Sequence, residues 1–134
     1  MPHLVIHYTP QLDAETDMSA LCRTLANTLM TVQDESGQSV FPTGGTRVLA
    51  FAAAHHAVAD GERDYAFVYI NLRIGRGRSD AVRQHTGDAL LAAANVHLAP
   101  VFERRYLGVT LQIDEGAEVY DGKASNIHPL FGPG

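Results

Sequence analysis

Pro2, Arg47, Arg76 and Arg78 are the residues whose types and settings could do chemistry in this sequence. Pro2 stands directly behind Met1 in MPHLVIHY. Proline lacks an N–H and commonly opens a strand, so Pro2 could be a strand start and nothing more. If Met1 is removed, as a small second residue allows, Pro2 is instead a secondary amine at a fixed address. An α-amine titrates at about 7.7–8.0, within the range a proton-transfer catalyst needs. Arg76 and Arg78 lie in Gly75-Arg76-Gly77-Arg78-Ser79, which joins a strand pattern to a helix pattern, with Ser79 placed to cap the helix. Glycines admit a ligand to backbone amides, and a helix N-terminus adds partial positive charge to the two guanidinium groups. That suits a carboxylate, and it also describes an ordinary strand-to-helix turn with solvated arginines. It is not a dinucleotide fingerprint, because the third glycine of G-x-G-x-x-G is missing. Arg47 follows Thr43-Gly44-Gly45-Thr46 at the entry to another strand, where it is the counterpart of Arg105 before the last strand.

Other chemistries find little support. His55-His56 suggests a metal, but neighbours on a strand point to opposite faces and do not share one ion. His3, His7, His85, His97 and His128 form no H-x-x-x-H pair, and no G-x-S-x-G elbow or Cys/His dyad is present. Cys22, the single cysteine, cannot form an internal disulfide and falls in an apolar helical pattern, as a small core residue does. A net charge of −5 without any basic cluster argues against nucleic acid as a partner. Nine of the ten basic side chains are arginine, Lys123 being the exception, a bias toward bidentate grip on carboxylates. No stretch approaches the ~20 apolar residues of a membrane span, and no signal-peptide pattern opens the chain, so a cytoplasmic location is expected.

The elements that must position these residues follow from periodicity. With 134 residues and 46% hydrophobic content, a single domain over 1–134 is expected. His3 to Tyr8 reads as a strand, and Met18, Leu21, Cys22, Leu25, Leu29 and Val32 recur at helical spacing from about Glu15. After polar DESGQ and glycine-rich PTGG, TRVLAFAAAHHAV resumes as a strand, and ADGERD reads as a hairpin turn. DYAFVYINLRI, GRGRS, SDAVRQHTGDALLAAANVHL and RRYLGVTLQI repeat the plan as strand, loop, helix and strand. The pattern predicts an α/β (α+β) fold of two fused βαβ units, about 2–58 and 64–113, with a tail over 114–134. Two helices then cover one face of a four-stranded mixed sheet. Ala50, Ala52, Tyr65, Phe67 and Tyr69 are expected on the bare face, which oligomerisation would cover, and the apolar tail NIHPLFGPG is expected to pack on a neighbouring subunit.

Pro2 with its apolar strand, FPTGGTR, ADGERDYAFV, IGRGRS and the NIHPLF ending, taken in this order and spacing, resemble the 5-carboxymethyl-2-hydroxymuconate isomerases of the tautomerase superfamily. The likeness spans nearly the whole chain. It implies a 4-oxalocrotonate-tautomerase-like fold, a homotrimer with active sites near subunit contacts, and a cofactor-independent, metal-free enol–keto isomerisation. The implied substrate is an unsaturated 2-hydroxy di- or tricarboxylate from homoprotocatechuate breakdown. Pro2 matches the family's catalytic base, while Arg78 and Arg47 match the arginines that bind and polarise carboxylate or carbonyl oxygens. Arg76 and Phe41 fall on the substrate side of the same motifs. Leu49 stands where a second arginine is expected, a longer polar insertion precedes Phe41, and Arg76 adds a charge. Rival readings are another proline-based tautomerase or hydratase, and a noncatalytic protein of the same fold that binds an aromatic acid or a protein partner.

Overall fold

The computed structural model describes residues 2–132. Strand β1 (His3–Tyr8) buries Leu4, Ile6 and Tyr8 and leaves His3 and His7 exposed, the period-two alternation of a half-covered strand. The helical pattern after it is divided into a single turn, α1 (Leu12–Glu15), and α2 (Met18–Thr31). The break has a local cause: Thr16 is fully extended, and Asp17 turns its carboxylate onto the Ala20 N–H at 2.9 Å to cap α2. Met18, Leu21, Leu25 and Leu29 form the buried stripe of α2.

The polar insertion is an ordered turn rather than a slack connection. Asp34 Oδ1 accepts from the Ser36 and Gln38 amides at 2.9 and 3.0 Å, and Gln33 bridges to Ser39. A 3-10 turn over Thr43–Gly45 then feeds β2 (Arg47–Ala52). This strand stops short of the histidines, so His55 and His56 sit in the exposed connection over residues 53–64 and strand alternation does not govern them. The turn at Ala59 to Gly61, with φ of 53° and 71°, closes no hairpin. Its flanking strands β2 and β3 (Tyr65–Gly75) are separated by β1. Asp-Gly supplies left-handed backbone to any tight turn, so it could not distinguish the two.

Helix α3 (Asp80–Phe102) is longer than its apolar pattern, running through Pro100 in its last turn, and β4 (Tyr106–Gly116) extends three residues past Ile113 because its pairing with β3 continues to Gly75. The sheet order is β2-β1-β3-β4. β1 and β2 are parallel, β3 and β4 are parallel, and the central β1 and β3 are antiparallel. The chain is therefore two βαβ units joined edge to edge.

Leu4, Ile6, Val68, Ile70 and Leu72 meet Leu21, Leu25, Leu90 and Leu98 in one core between the sheet and the helices. Val48 and Ala50 pack on that core too. The expectation for the bare face is therefore half corrected. Tyr65, Phe67 and Tyr69 do alternate with the buried residues of β3, but Ala50 and Ala52 share the parity of buried Leu4 to Tyr8, and Leu49 and Phe51 take the open face instead. In the tail a 3-10 helix, His128–Phe131, rests on the Thr43–Gly45 turn, while Ile127, Leu130 and Phe131 stay exposed to any neighbouring subunit; Pro133 and Gly134 lie outside the described residues. Gly44 makes this seat possible, since a Cβ there would come within 2.6 Å of His128 Cα.

Candidate active site

Pro2 is buried and leads into β1. His3 pairs with Arg47 across the parallel ladder and with Arg73 across the antiparallel one. One step back, the same registers set Pro2 between Thr46, at the entry of β2, and Ile74, at the end of β3. The proline thus stands where the FPTGGTR turn and the GRGRS loop come nearest to β1. Partial burial, then the charges of Arg47 and Arg73, hold the His3 imidazole below its ordinary range, against the pull of Asp121.

The glycine loop is built around Arg78. Gly77 at φ 112° makes a turn that a side chain would strain. Arg78 Nη1 donates to the Gly75 carbonyl at 2.9 Å, and its guanidinium lies 5.4 Å over the ring of buried Phe41. Ser79 accepts from the Val82 N–H at 3.2 Å, capping α3 as its position in the sequence suggests, and donates to Glu35 of the insertion at 2.5 Å. One segment, 35–41, therefore touches the arginine loop twice. Arg76 is exposed.

A cleft of about 1340 Å³ opens between α2, the Thr43–Val48 segment and the tail. Its charged lining is Arg23, Arg47 and Lys123 against Asp121, with His3 and His128 added. Three of the chain's ten Lys and Arg residues thus surround one hollow of a protein carrying −5 overall. A cavity of this sign focuses anions. Of the residues marked in the sequence, Arg47 reaches this lining, whereas Pro2, Phe41, Arg76 and Arg78 do not. Arg105, the counterpart of Arg47, has a structural role: it ion-pairs with Asp64 at 3.0 Å and Glu15 at 3.7 Å, binding α1 to the foot of β3. Cys22 lines the cleft and packs against the core, and burial pushes its thiol up, away from reactivity.

The family model for 5-carboxymethyl-2-hydroxymuconate isomerase matches residues 2–131. The chain belongs to this family. A curated relative from Escherichia coli, 5-carboxymethyl-2-hydroxymuconate Delta-isomerase, is 31% identical over 131 residues, which is 98% of this chain and 99% of that one. A crystal structure of a 5-carboxymethyl-2-hydroxymuconate delta-isomerase superposes with a TM-score of 0.95 at 52% identity, covering 100% of this chain and 95% of its own. A 5-carboxymethyl-2-hydroxymuconate isomerase from Deinococcus radiodurans R1 follows at 0.86 and 36%, covering 97% and 93%. The fold alone extends further, to a fused 4-OT described as a wild-type symmetric trimer, at a TM-score of 0.59 and 17% identity over 96% of this chain and 97% of that one. The chain thus has a tautomerase-type fold within an isomerase family.

Two of the departures expected from the resemblance now have places. Leu49 stands two residues past Arg47 on the same open face, half exposed, so the apolar side chain there changes the sheet surface beside Arg47. The insertion is the element that carries Glu35 to Ser79. Sequence reasoning did not find Arg23, Asp121, Lys123 or His128, which the fold gathers from α2 and the tail. The one available signal was that Lys123 is the sole lysine.

Proposed function

We propose that this chain is a cofactor-independent enol–keto isomerase acting on 5-carboxymethyl-2-hydroxymuconate or a close dienol carboxylate, with Pro2 as base after removal of Met1. The enol O–H bond breaks and its proton passes to the Pro2 nitrogen. The oxygen's electron pair forms the ketone, the conjugated double bonds shift outward, and a distant carbon of the diene takes the proton back. No electrons leave the substrate, so the reaction calls for a base and for cations that stabilise the developing negative charge. Arg47 and Arg78 are those cations, Arg76 adds charge at the loop, and Phe41 holds Arg78 in orientation. The assembly is a homotrimer of the cytoplasm.

The observation that carries the reading is the place of Pro2, buried at the junction of the turn that delivers Arg47 and the loop that bears Arg78. Burial and neighbouring guanidinium groups both disfavour a protonated amine there, so its pKa falls below the ordinary ~7.7–8.0. Preparations that begin at Met1 and at Pro2, verified by mass, are compared on the same dienol by ultraviolet absorbance. With Met1 retained, the Pro2 nitrogen is a tertiary amide without a basic lone pair, and activity is expected to drop by about 10²-fold or more. In the processed form, kcat/KM rises with pH through a pKa near or below neutrality. Equal rates for the two preparations would leave Pro2 a strand start.

A further inference from the structure

The first substrate proposed above, 5-carboxymethyl-2-hydroxymuconate, bears three carboxylates, more than Arg47 and Arg78 hold in a bidentate manner while also polarising the enol. The cleft beside Arg47 offers a further cationic side chain, from an unexpected element. Lys123, the only lysine, is brought there by the tail, whose seat on the Thr43–Gly45 turn fixes its course. Its ammonium pairs with Asp121 at 2.8 Å, which engages one of three N–H donors. Arg23 on α2 lines the same hollow, and among the described residues Asp121 is the one carboxylate in the lining. His3, the residue after Pro2, lines the same cleft as Arg47, Asp121 and Lys123, so this part of the tail borders the hollow at the head of β1.

We infer that Lys123 is a specificity residue: with Arg23 it receives the third carboxylate of a tricarboxylate dienol, and the tail is the element that distinguishes tri- from dicarboxylate substrates. The inference rests on the isomerase reading for its substrate. Its physical basis is the pair of cationic side chains Lys123 and Arg23 in a concave site, where a carboxylate exchanges water for charge-assisted hydrogen bonds. The half-exposed ammonium sets a moderate size for the effect.

The test is a selectivity ratio, kcat/KM on 5-carboxymethyl-2-hydroxymuconate divided by kcat/KM on 2-hydroxymuconate, which lacks the carboxymethyl arm. Lys123→Met is expected to lower that ratio about tenfold, mainly through KM for the tricarboxylate, and Lys123→Arg to restore most of it. An unchanged ratio, or equal loss on both dienols, overturns the inference. If the unaltered, processed chain turns over neither dienol, the isomerase reading fails by itself. Calorimetry then decides the subsite with unreactive probes: tricarballylate should bind more tightly than glutarate, and Lys123→Met should abolish the preference. No preference in the unaltered chain, or a preference that survives Lys123→Met, refutes it.

Discussion

At the scale of single residues, Arg78 shows how a charge is fixed without being neutralised. Its guanidinium rests on the Phe41 ring and gives a hydrogen bond to the Gly75 carbonyl, a neutral acceptor, so its charge stays available to an anion. Arg78→Ala should therefore lower kcat/KM on the dienol by roughly 10²–10³, the effect of losing one preorganised donor. Its thermal midpoint should stay within a few degrees of the parent, because a part-exposed cation over a ring contributes only about 1 kcal/mol. Arg78→Lys should recover little, since an ammonium cannot reproduce the planar fork. Kinetics equal to the parent in a folded Arg78→Ala protein would remove this arginine from the mechanism. Tyr8 makes a different kind of prediction. Its hydroxyl donates to Asp13 Oδ1 at 2.7 Å, and that bond, with burial, pushes its pKa up to about 12. The folded state thus favours the neutral phenol, and the stability this confers is complete below the ordinary pKa of ~10 and fades as pH rises toward 12. Denaturant titrations between those pH values should show a steeper alkaline decline in the parent than in Tyr8→Phe. Parallel declines would mean that the Tyr8–Asp13 bond carries no such linkage.

The elements differ in how plainly they were written in the sequence. β1 and β3 were legible because one covered face imposes a period of two over an unbroken run, and α2 because four leucine or methionine positions share one stripe. The ends were harder: Asp17 as a cap divides a pattern that periodicity alone runs together, and nothing apolar or polar in AFAAAHHAV marks Ala52 as the last paired residue. The false hairpin at Asp60-Gly61 arose because turn chemistry is local while strand order is not. Of the proposed site, Pro2, Arg47 and Arg78 could be marked from their motifs, whereas the cleft joins α2, the Thr43–Val48 segment and the tail, and no periodicity links residues so far apart. Gly44 tests the tail as an element. Its missing Cβ admits the His128 backbone, so Gly44→Ala must displace the 3-10 helix while leaving the core of sheet and helices in place. Limited trypsin digestion should then cleave after Lys123 several-fold faster than in the parent, and a fragment ending at this only lysine identifies the event by mass. Unchanged cleavage would show that the tail does not depend on this seat.

At the scale of the whole molecule, the sheet has two unlike faces. The helices cover one, and the other carries Leu49 and Phe51, each half exposed, beside Val5, His7, Phe67 and Tyr69. His7 and Phe51 stack across the β1–β2 ladder with ring centroids 5.8 Å apart, which makes a broad aromatic surface at the edge strand. A monomer rarely leaves so continuous an apolar patch in water, and copies of the same chain are its natural cover. In the proposed homotrimer each subunit contact buries more than ~1,000 Å², and light scattering at micromolar concentration should return three times the mass of the chain. Phe51→Glu puts a charge into the centre of that contact without touching the core, because the side chain points away from the helices. The variant should scatter as a monomer, keep the helical circular dichroism of the parent and lose most of its isomerase activity, since the active sites of the proposed trimer lie near the contacts. A Phe51→Glu protein that remains trimeric would place the contact elsewhere on the molecule. A monomer with full activity would show that one chain completes the site alone.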